Sequence, residues 1–231
     1  MDEQVQKTEE TQGENNIELP NDQEAMLSVI EARVLGALME KQLTTPDAYP
    51  LTLNSLVAAC NQKSSREPTM ALEEGEVQHC LYQLQDRKLV EFEYGSRTNK
   101  FDQRLVRTLV LTQAEHAVFC LLVLRGPQTL NELFSRSKRM HEFENQFELE
   151  DLLSKHLRKL NPILMKIPQA QGQRECRYMH LLSGEPDLSS ISSSKPDIRS
   201  GSGHLEARVT ELEAQVAWLL TQVGSNSQPE S

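Results

Sequence analysis

From residue 26 to 183 the apolar positions trace one order of elements twice. A helix-like segment from Glu31 to Lys41 leads to Thr52-Leu53-Asn54-Ser55-Leu56, and a second from Ala114 to Leu124 leads to Thr129-Leu130-Asn131-Glu132-Leu133. Stripes at spacings of three and four predict a further helix in each copy, through Val77, Cys80, Leu81 and Leu84 and through Leu149, Leu152, Leu153, His156 and Leu160. Two extended runs around a polar turn close each copy. Leu89 to Tyr94 and Phe101 to Leu111 flank Gly95-Ser96-Arg97-Thr98-Asn99; Ile163 to Ile167 and Cys176 to Leu182 flank a turn containing Gly172.

Boundary signals sharpen the second copy. Thr112 with Glu115 and Thr129 with Glu132 are spaced as capping boxes, in which a hydroxyl and a carboxylate satisfy each other's backbone donors. Arg125-Gly126-Pro127 stops the intervening helix. The first copy carries an insertion, Thr44 to Leu51, whose two prolines forbid helix. Three helices and a hairpin, given twice, predict a mainly α fold with small β-hairpins (α+β): two tandem winged helix-turn-helix domains, 26–110 and 111–183.

Composition changes the picture at the ends. Hydrophobic residues make up 38% of the 231 positions, below the roughly 45–50% of globular domains. Residues 1–25 and 184–203 lack apolar periodicity and read as a disordered acidic tail and a disordered linker, and 225–231 as a second tail. The longest apolar run, Ala117 to Leu124, is eight residues, far short of a bilayer span, and the acidic N-terminus does not resemble a secretory signal. A cytoplasmic protein with no membrane partner is expected.

The net charge of −10 belongs to the ends. Residues 1–25 hold eight acids and one Lys, 184–231 hold seven acids and three bases, and 26–183 hold twenty bases against nineteen acids. Cys60, Cys80, Cys120 and Cys176 match no zinc or redox spacing and read as buried free thiols. His141-Glu142-Phe143-Glu144-Asn145 lacks the second His of a zincin helix, and no phosphate loop or nucleophile elbow occurs. Neither an enzyme, a metal site nor a cofactor is expected.

Three segments carry a specific resemblance: TTPDAYPLTLNSLVAACNQKSSREP (44–68), LRGPQTLNEL (124–133) and GQRECRYMHLL (172–182). Together they resemble the YceH family of bacterial proteins. The resemblance spans about 28–183 and implies tandem winged helices in a bacterial cytosolic protein; it implies no particular activity.

Two functional readings follow. A winged helix ordinarily places its third helix in the major groove and its wing on the backbone. In the first copy that helix begins with Glu73, Glu74 and Glu76 and exposes His79, Tyr82 and Asp86, a poor match to phosphates. In the second, Asp151, Ser154, Lys155 and Arg158 face outward, with Arg136, Lys138 and Arg139 ending the preceding helix and Arg174 and Arg177 in the wing. Arg97, Lys100, Arg104 and Arg107 line the first wing. These residues predict a regulator that binds duplex DNA mainly through its second domain. The alternative is a protein–protein interaction module or scaffold, consistent with the near-neutral core.

The segment Asn61 to Pro68, longer than an ordinary helix-turn-helix turn, offers a ligand or partner loop through Asn61, Lys63, Arg66 and Glu67, with Tyr49 and Asn54 nearby. It reads equally as a self-satisfying loop in which Arg66 pairs with Glu67 and Asn61 caps the second helix. Leu205, Val209, Leu212, Val216, Leu219 and Val223 alternate steps of four and three within 204–224. That heptad, with Val at a and Leu at d, predicts a short parallel coiled coil and a homodimer, Arg208 facing Glu213 of the partner helix.

Overall fold

The computed structural model describes residues 26–95, 98–169 and 173–185. The expected tails, the linker, the heptad helix 204–224, Arg97 and the Gly172 turn lie outside these residues.

The first copy runs α1 (Val29–Thr44), a 3-10 turn (Pro46–Ala48), β1 (Leu51–Thr52), α2 (Leu53–Cys60), α3 (Glu74–Asp86), β2 (Val90–Glu93) and β3 (Lys100–Gln103). A single helical turn, α4 (Leu105–Thr108), leads to α5 (Gln113–Arg125), α6 (Leu130–Ser137), α7 (Gln146–Leu157), β4 (Leu164–Ile167) and β5 (Arg177–His180). The result is a mixed α+β fold with small antiparallel sheets, compatible with two winged helices in tandem. In the first sheet, ordered β1-β3-β2, Leu51 faces Phe101; in the second, β5 pairs with β4 and Tyr178 bridges to Gln128. Leu51 and Gln128 each precede the Thr that caps the next helix, so the repeat read from the sequence extends to strand register.

Side chains close the helix starts. Ser28 with Glu31, Thr112 with Glu115 and Thr129 with Glu132 form reciprocal capping boxes, Glu73 with Glu76 forms another, and Asn145 accepts from the Glu148 N–H at 3.0 Å. The Glu of each copy's first helix also reaches the end of its third. Glu31 accepts from Arg87 at 2.7 Å, and Glu115 lies 2.6 Å from His156 Nε2. Hydrogen bonds from the Thr112 backbone and hydroxyl and from His156 outweigh burial and hold the Glu115 carboxyl below its ordinary pKa.

The two copies share a core through α1 and α5. Glu31 to Met39 and His116 to Leu124 are buried without a break, the pattern of helices enclosed on all sides. The pair runs antiparallel: Gly36 lies against Val123 and Leu124, while Met39 offers its backbone carbonyl to His116. A Cβ on Gly36 would sit 2.8 Å from Leu124 and 2.9 Å from Val123, so the glycine sets the close approach. Gly126, at φ +69°, ends α5 and donates to the Leu122 carbonyl.

Two expectations are corrected. The run Phe101 to Leu111 is strand only as far as Gln103, where pairing with Val90 ends. There Gln103 turns its side-chain carbonyl to the Val106 N–H at 3.0 Å and starts α4. Leu160 does not share the stripe of α7, which ends at Leu157; Leu160 is 97% exposed, whereas Leu149, Leu153 and His156 are buried. The cysteines are free thiols, three buried and Cys176 half-buried, and burial pushes Cys60 and Cys80 up to about 12. Among the described residues no helix is long and apolar enough to cross a membrane.

Two predictions follow from this core. Gly36→Val should cost about 1–3 kcal/mol in urea denaturation through overpacking of the α1–α5 contact; an unchanged midpoint would contradict the close approach. The second concerns acid. Burial lowers the ring pKa of His116 and His180 from 6.5 to about 4, so both are neutral in the native chain. Between those values the unfolded chain binds protons that the native chain refuses. Stability should be fully present above 6.5 and fall as pH drops towards 4, by roughly 2 kcal/mol for each histidine near pH 5. His116→Gln should flatten that slope in denaturation curves taken across the range.

Candidate functional site

The outward faces of the third helices are acidic. Helix α3 carries Glu74, Glu76 and Asp86, all exposed, and neither Lys nor Arg; His79 and Tyr82 are exposed beside them. Helix α7 exposes Glu148, Glu150 and Asp151 together with Phe147, which is 80% exposed. Its one Lys, Lys155, is held 2.6 Å from Asp151 one turn earlier. Aromatic rings extend the first copy's surface: Tyr82 and Tyr94 lie with centroids 5.4 and 6.3 Å from Phe92 and are themselves half or more exposed.

The expected DNA-facing cations divide into two groups. Glu132 takes Arg136 at 3.3 Å and Arg177 at 3.1 Å, Arg136 also donates to Gln128, and Arg177 donates to the Pro127 carbonyl. These two hold α6, its preceding bridge and β5 together. Arg104 pairs with Glu91 and lies 3.3 Å from Asp102, and Lys100 stands opposite Glu93 across the β2–β3 ladder. By contrast Lys138, Arg139, Arg158 and Arg174 are exposed, at the ends of α6 and α7 and in the second wing, and form no ion pair among the described residues. Lys138 lies 6.0 Å from the Phe134 ring centroid.

The loop after α2 is built around buried guanidiniums. Arg66, with its side chain fully buried, does not pair with Glu67; it takes both carboxylate oxygens of Glu40, at 2.6 and 3.2 Å, and donates to the Ala59 and Ser65 carbonyls. Glu40 wins because it projects from α1 into the loop's interior, whereas Glu67 is exposed. Arg33 donates to the Cys60 and Pro68 carbonyls, and burial together with the Arg66 charge lowers its pKa. The last carbonyls of α2 are thereby satisfied by side chains. Asn61 is the C-cap residue of α2, and its amide grips the Leu72 backbone at 2.8 Å in both directions.

The same loop clamps the second copy. Glu67 N–H donates to the Leu124 carbonyl at 2.8 Å, and Arg125 donates to the Ser65 hydroxyl at 2.5 Å. Of the six expected loop-site residues, Arg66 is buried, Asn61 is half-buried, and Lys63 and Glu67 are exposed. Tyr49 belongs elsewhere: its hydroxyl donates to Asp102 at 2.6 Å and accepts from the Gln103 N–H at 2.7 Å, so it braces the first wing. Burial raises its pKa far above the ordinary value. Asn54 is exposed in the first turn of α2. Its counterpart Asn131 bonds Glu175 at 2.9 Å and Gln146 at 2.5 Å, joining α6 to the wing and to α7.

Sequence reasoning set the first wing's cations against Asp102 but missed the neutralising partners Glu132 and Glu91. For Glu132 and Arg136 the four-residue spacing was a usable signal, as for Asp151 and Lys155; the cross-strand contacts of Arg104 needed the register. Among the described residues no group of three His, Cys, Asp or Glu is placed to hold a metal.

Buried and exposed pairs should respond differently to truncation. Glu40→Ala leaves Arg66 buried without its carboxylate and should cost about 3–5 kcal/mol. Lys155→Ala removes an exposed helix pair and should change stability by less than about 0.5 kcal/mol. Equal effects in chemical denaturation would contradict the assignment of Arg66 to a structural joint.

Comparison with known proteins gives the family of the chain. A family described as "Protein of unknown function, DUF480" matches residues 27–173. A UPF0502 protein of Cellvibrio japonicus (strain Ueda107) is 54% identical over 202 residues, covering 86% of this chain and 93% of its own. One from Ectopseudomonas mendocina (strain ymp) is 49% identical over 198 residues, with 84% and 89% covered. One from Shewanella oneidensis (strain MR-1) is 44% identical over 208 residues, with 84% and 94% covered. The matched span contains both shared-core helices, the clamp loop and the hairpin of the first copy. The chain belongs to the DUF480, UPF0502 family of bacterial proteins, in keeping with the YceH resemblance carried by its motifs.

Proposed function

We propose that this protein is a non-enzymatic, cytoplasmic interaction module whose two winged helices bind protein rather than read DNA. The observation that carries the proposal is the acidity of both third helices. A helix entering the major groove passes between two rows of phosphates, and each carboxylate on its leading face opposes that approach. Helix α3 offers three such groups and no cation. Helix α7 offers three, and its lone Lys is engaged by one of them. Exposed Tyr82, Tyr94 and Phe147 suit a protein interface, where aromatic residues are enriched. In this reading the heptad at 204–224 supplies a homodimer contact, so that each assembly presents four such helices.

A second reading keeps duplex DNA as the partner. It rests on Lys138, Arg139, Arg158 and Arg174, which are exposed and unpaired among the described residues. These four would hold the backbone from the helix ends and the wing without insertion of α7.

One titration separates the two. The full chain, mixed with random and genomic duplexes at low and moderate salt, should show no saturable binding. Binding that weakens steeply with salt, and that Arg139→Ala with Arg158→Ala flattens, would establish the DNA reading and overturn the first.

A further inference from the structure

The chain enters the fold where both copies meet. Leu27, fully buried, donates its backbone N–H to the Leu182 carbonyl at 2.7 Å, and the Met26 carbonyl accepts from Arg87 at the end of α3. One residue before Leu182, the Leu181 N–H donates to the Ile163 carbonyl at 2.8 Å. Residues 1–25 are therefore tethered beside the segment that joins α7 to β4.

That segment carries two uncompensated charges and a bare alkyl group. Arg158 and Lys159 are exposed and form no ion pair among the described residues, and Leu160 next to them is 97% exposed. The last carboxylate of α7, Asp151, is engaged by Lys155. The complement of such a surface is a segment with carboxylates set around apolar residues.

The tethered segment has that composition. The sequence ENNIELPNDQEA (14–25) holds Glu14, Glu18, Asp22 and Glu24, no Lys or Arg, and the apolar pair Ile17 and Leu19. Distance permits the contact. Leu160 is three residues from Ile163, and two backbone pairings lead from Ile163 to Leu27, so Leu160 lies within about 25 Å of Leu27. Leu19, eight residues before Leu27, reaches roughly 26–29 Å. Tethering also gives this segment an effective concentration on the order of millimolar, which favours it over a free peptide of like composition.

We infer that residues 14–25 dock on Arg158 to Leu160 of the same chain, with Ile17 and Leu19 against Leu160 and the neighbouring carboxylates on Arg158 and Lys159. Docked there, the segment is a tethered competitor that keeps polyanions off the end of α7. The inference is independent of what the outward faces of α3 and α7 bind, because Arg158 to Leu160 follow Leu157, the last residue of α7.

The test uses the full chain with ¹³C-labelled methyl groups. Nuclear Overhauser contacts should join the Leu160 methyls to those of Ile17 or Leu19. Ile17→Ser with Leu19→Ser, made at unchanged charge, should move the Leu160 methyl resonances. Neutralising the near acids (Glu14→Gln, Glu18→Gln, Asp22→Asn, Glu24→Gln) should move them the same way. Neutralising the far ones (Asp2→Asn, Glu3→Gln, Glu9→Gln, Glu10→Gln) changes the net charge equally and should leave them in place. Heparin serves as the polyanion probe. A segment that covers its site about nine-tenths of the time lowers the apparent affinity of a competitor about tenfold, so the chain with Ile17→Ser and Leu19→Ser should bind heparin about tenfold more tightly than the unaltered chain.

Absence of the methyl contacts would overturn the inference, as would equal heparin affinity of those two chains or an equal response to near and far neutralisation. Any of these results leaves the protein-binding reading of the third helices untouched, and a duplex titration that sinks that reading leaves the methyl contacts as they are.

Discussion

The contact between α1 and α5 is the constraint on which the rest of the structure depends. Neither helix has a solvent face along most of its length, since Glu31–Met39 and His116–Leu124 are continuously buried. Each helix must fill its own copy's core on one side and meet the other copy on the opposite side. That double demand explains why Ala117–Leu124 is apolar without a stripe, a pattern that otherwise marks a fully enclosed helix. It also explains Gly36. A helix interior glycine costs about 0.5–1 kcal/mol relative to alanine, and that cost is offset where the backbones approach too closely for a Cβ.

A shared apolar core holds the copies together, and polar groups of the clamp loop add directed contacts between them. At the clamp end, Arg33 and Arg66 are buried close enough to repel one another, and the arrangement holds because carbonyls and Glu40 supply partners for most of their donors. Arg33 Nε is the exception, with no partner among the described residues. The loop that carries Arg66 continues into Glu67, whose backbone closes the C-terminus of α5. Helix ends that would otherwise expose unsatisfied carbonyls thus become the joint between the copies. The length of this loop is accounted for by that task.

Much of this was legible in the sequence, and the failures have physical reasons. Periodicity found the helices, because burial on one face leaves a record at spacings of three and four; Val77, Cys80, Leu81 and Leu84 are all buried. Two of the capping boxes were legible because hydroxyl and carboxylate lie three residues apart. Glu73 as an N-cap was not, since a glutamate rarely takes that position. Phe101 to Leu111 was read as one extended run, although Leu105, Val106, Leu109 and Val110 already depart from two-residue alternation; the ladder stops at Gln103, where the pairing with Val90 ends. For the candidate surface, the acidity of α3 was read correctly from residue identity. The state of Arg104, Arg136 and Arg177 was not, because a guanidinium's partner is a matter of strand register and helix packing. Residue type located the cations; tertiary structure decided which of them remained available.

That last distinction bears on how charge is read in this fold. A core with twenty bases and nineteen acids has no net field to steer nucleic acid, so any attraction must come from local asymmetry. Here local pairing works against it: Glu132 absorbs two arginines, Glu91 and Asp102 share a third, and Asp151 engages Lys155. Such pairs contribute little stability when exposed, of the order of 0–1 kcal/mol each. Their consequence is instead to engage Arg104, Arg136, Arg177 and Lys155, which leaves free cations at the ends of α6 and α7 and at Arg174 while Glu148 and Glu150 stand without a cation on the face of α7. What remains outward along most of both third helices is carboxylate and aromatic surface, and it is on this surface that the proposed protein-binding reading rests.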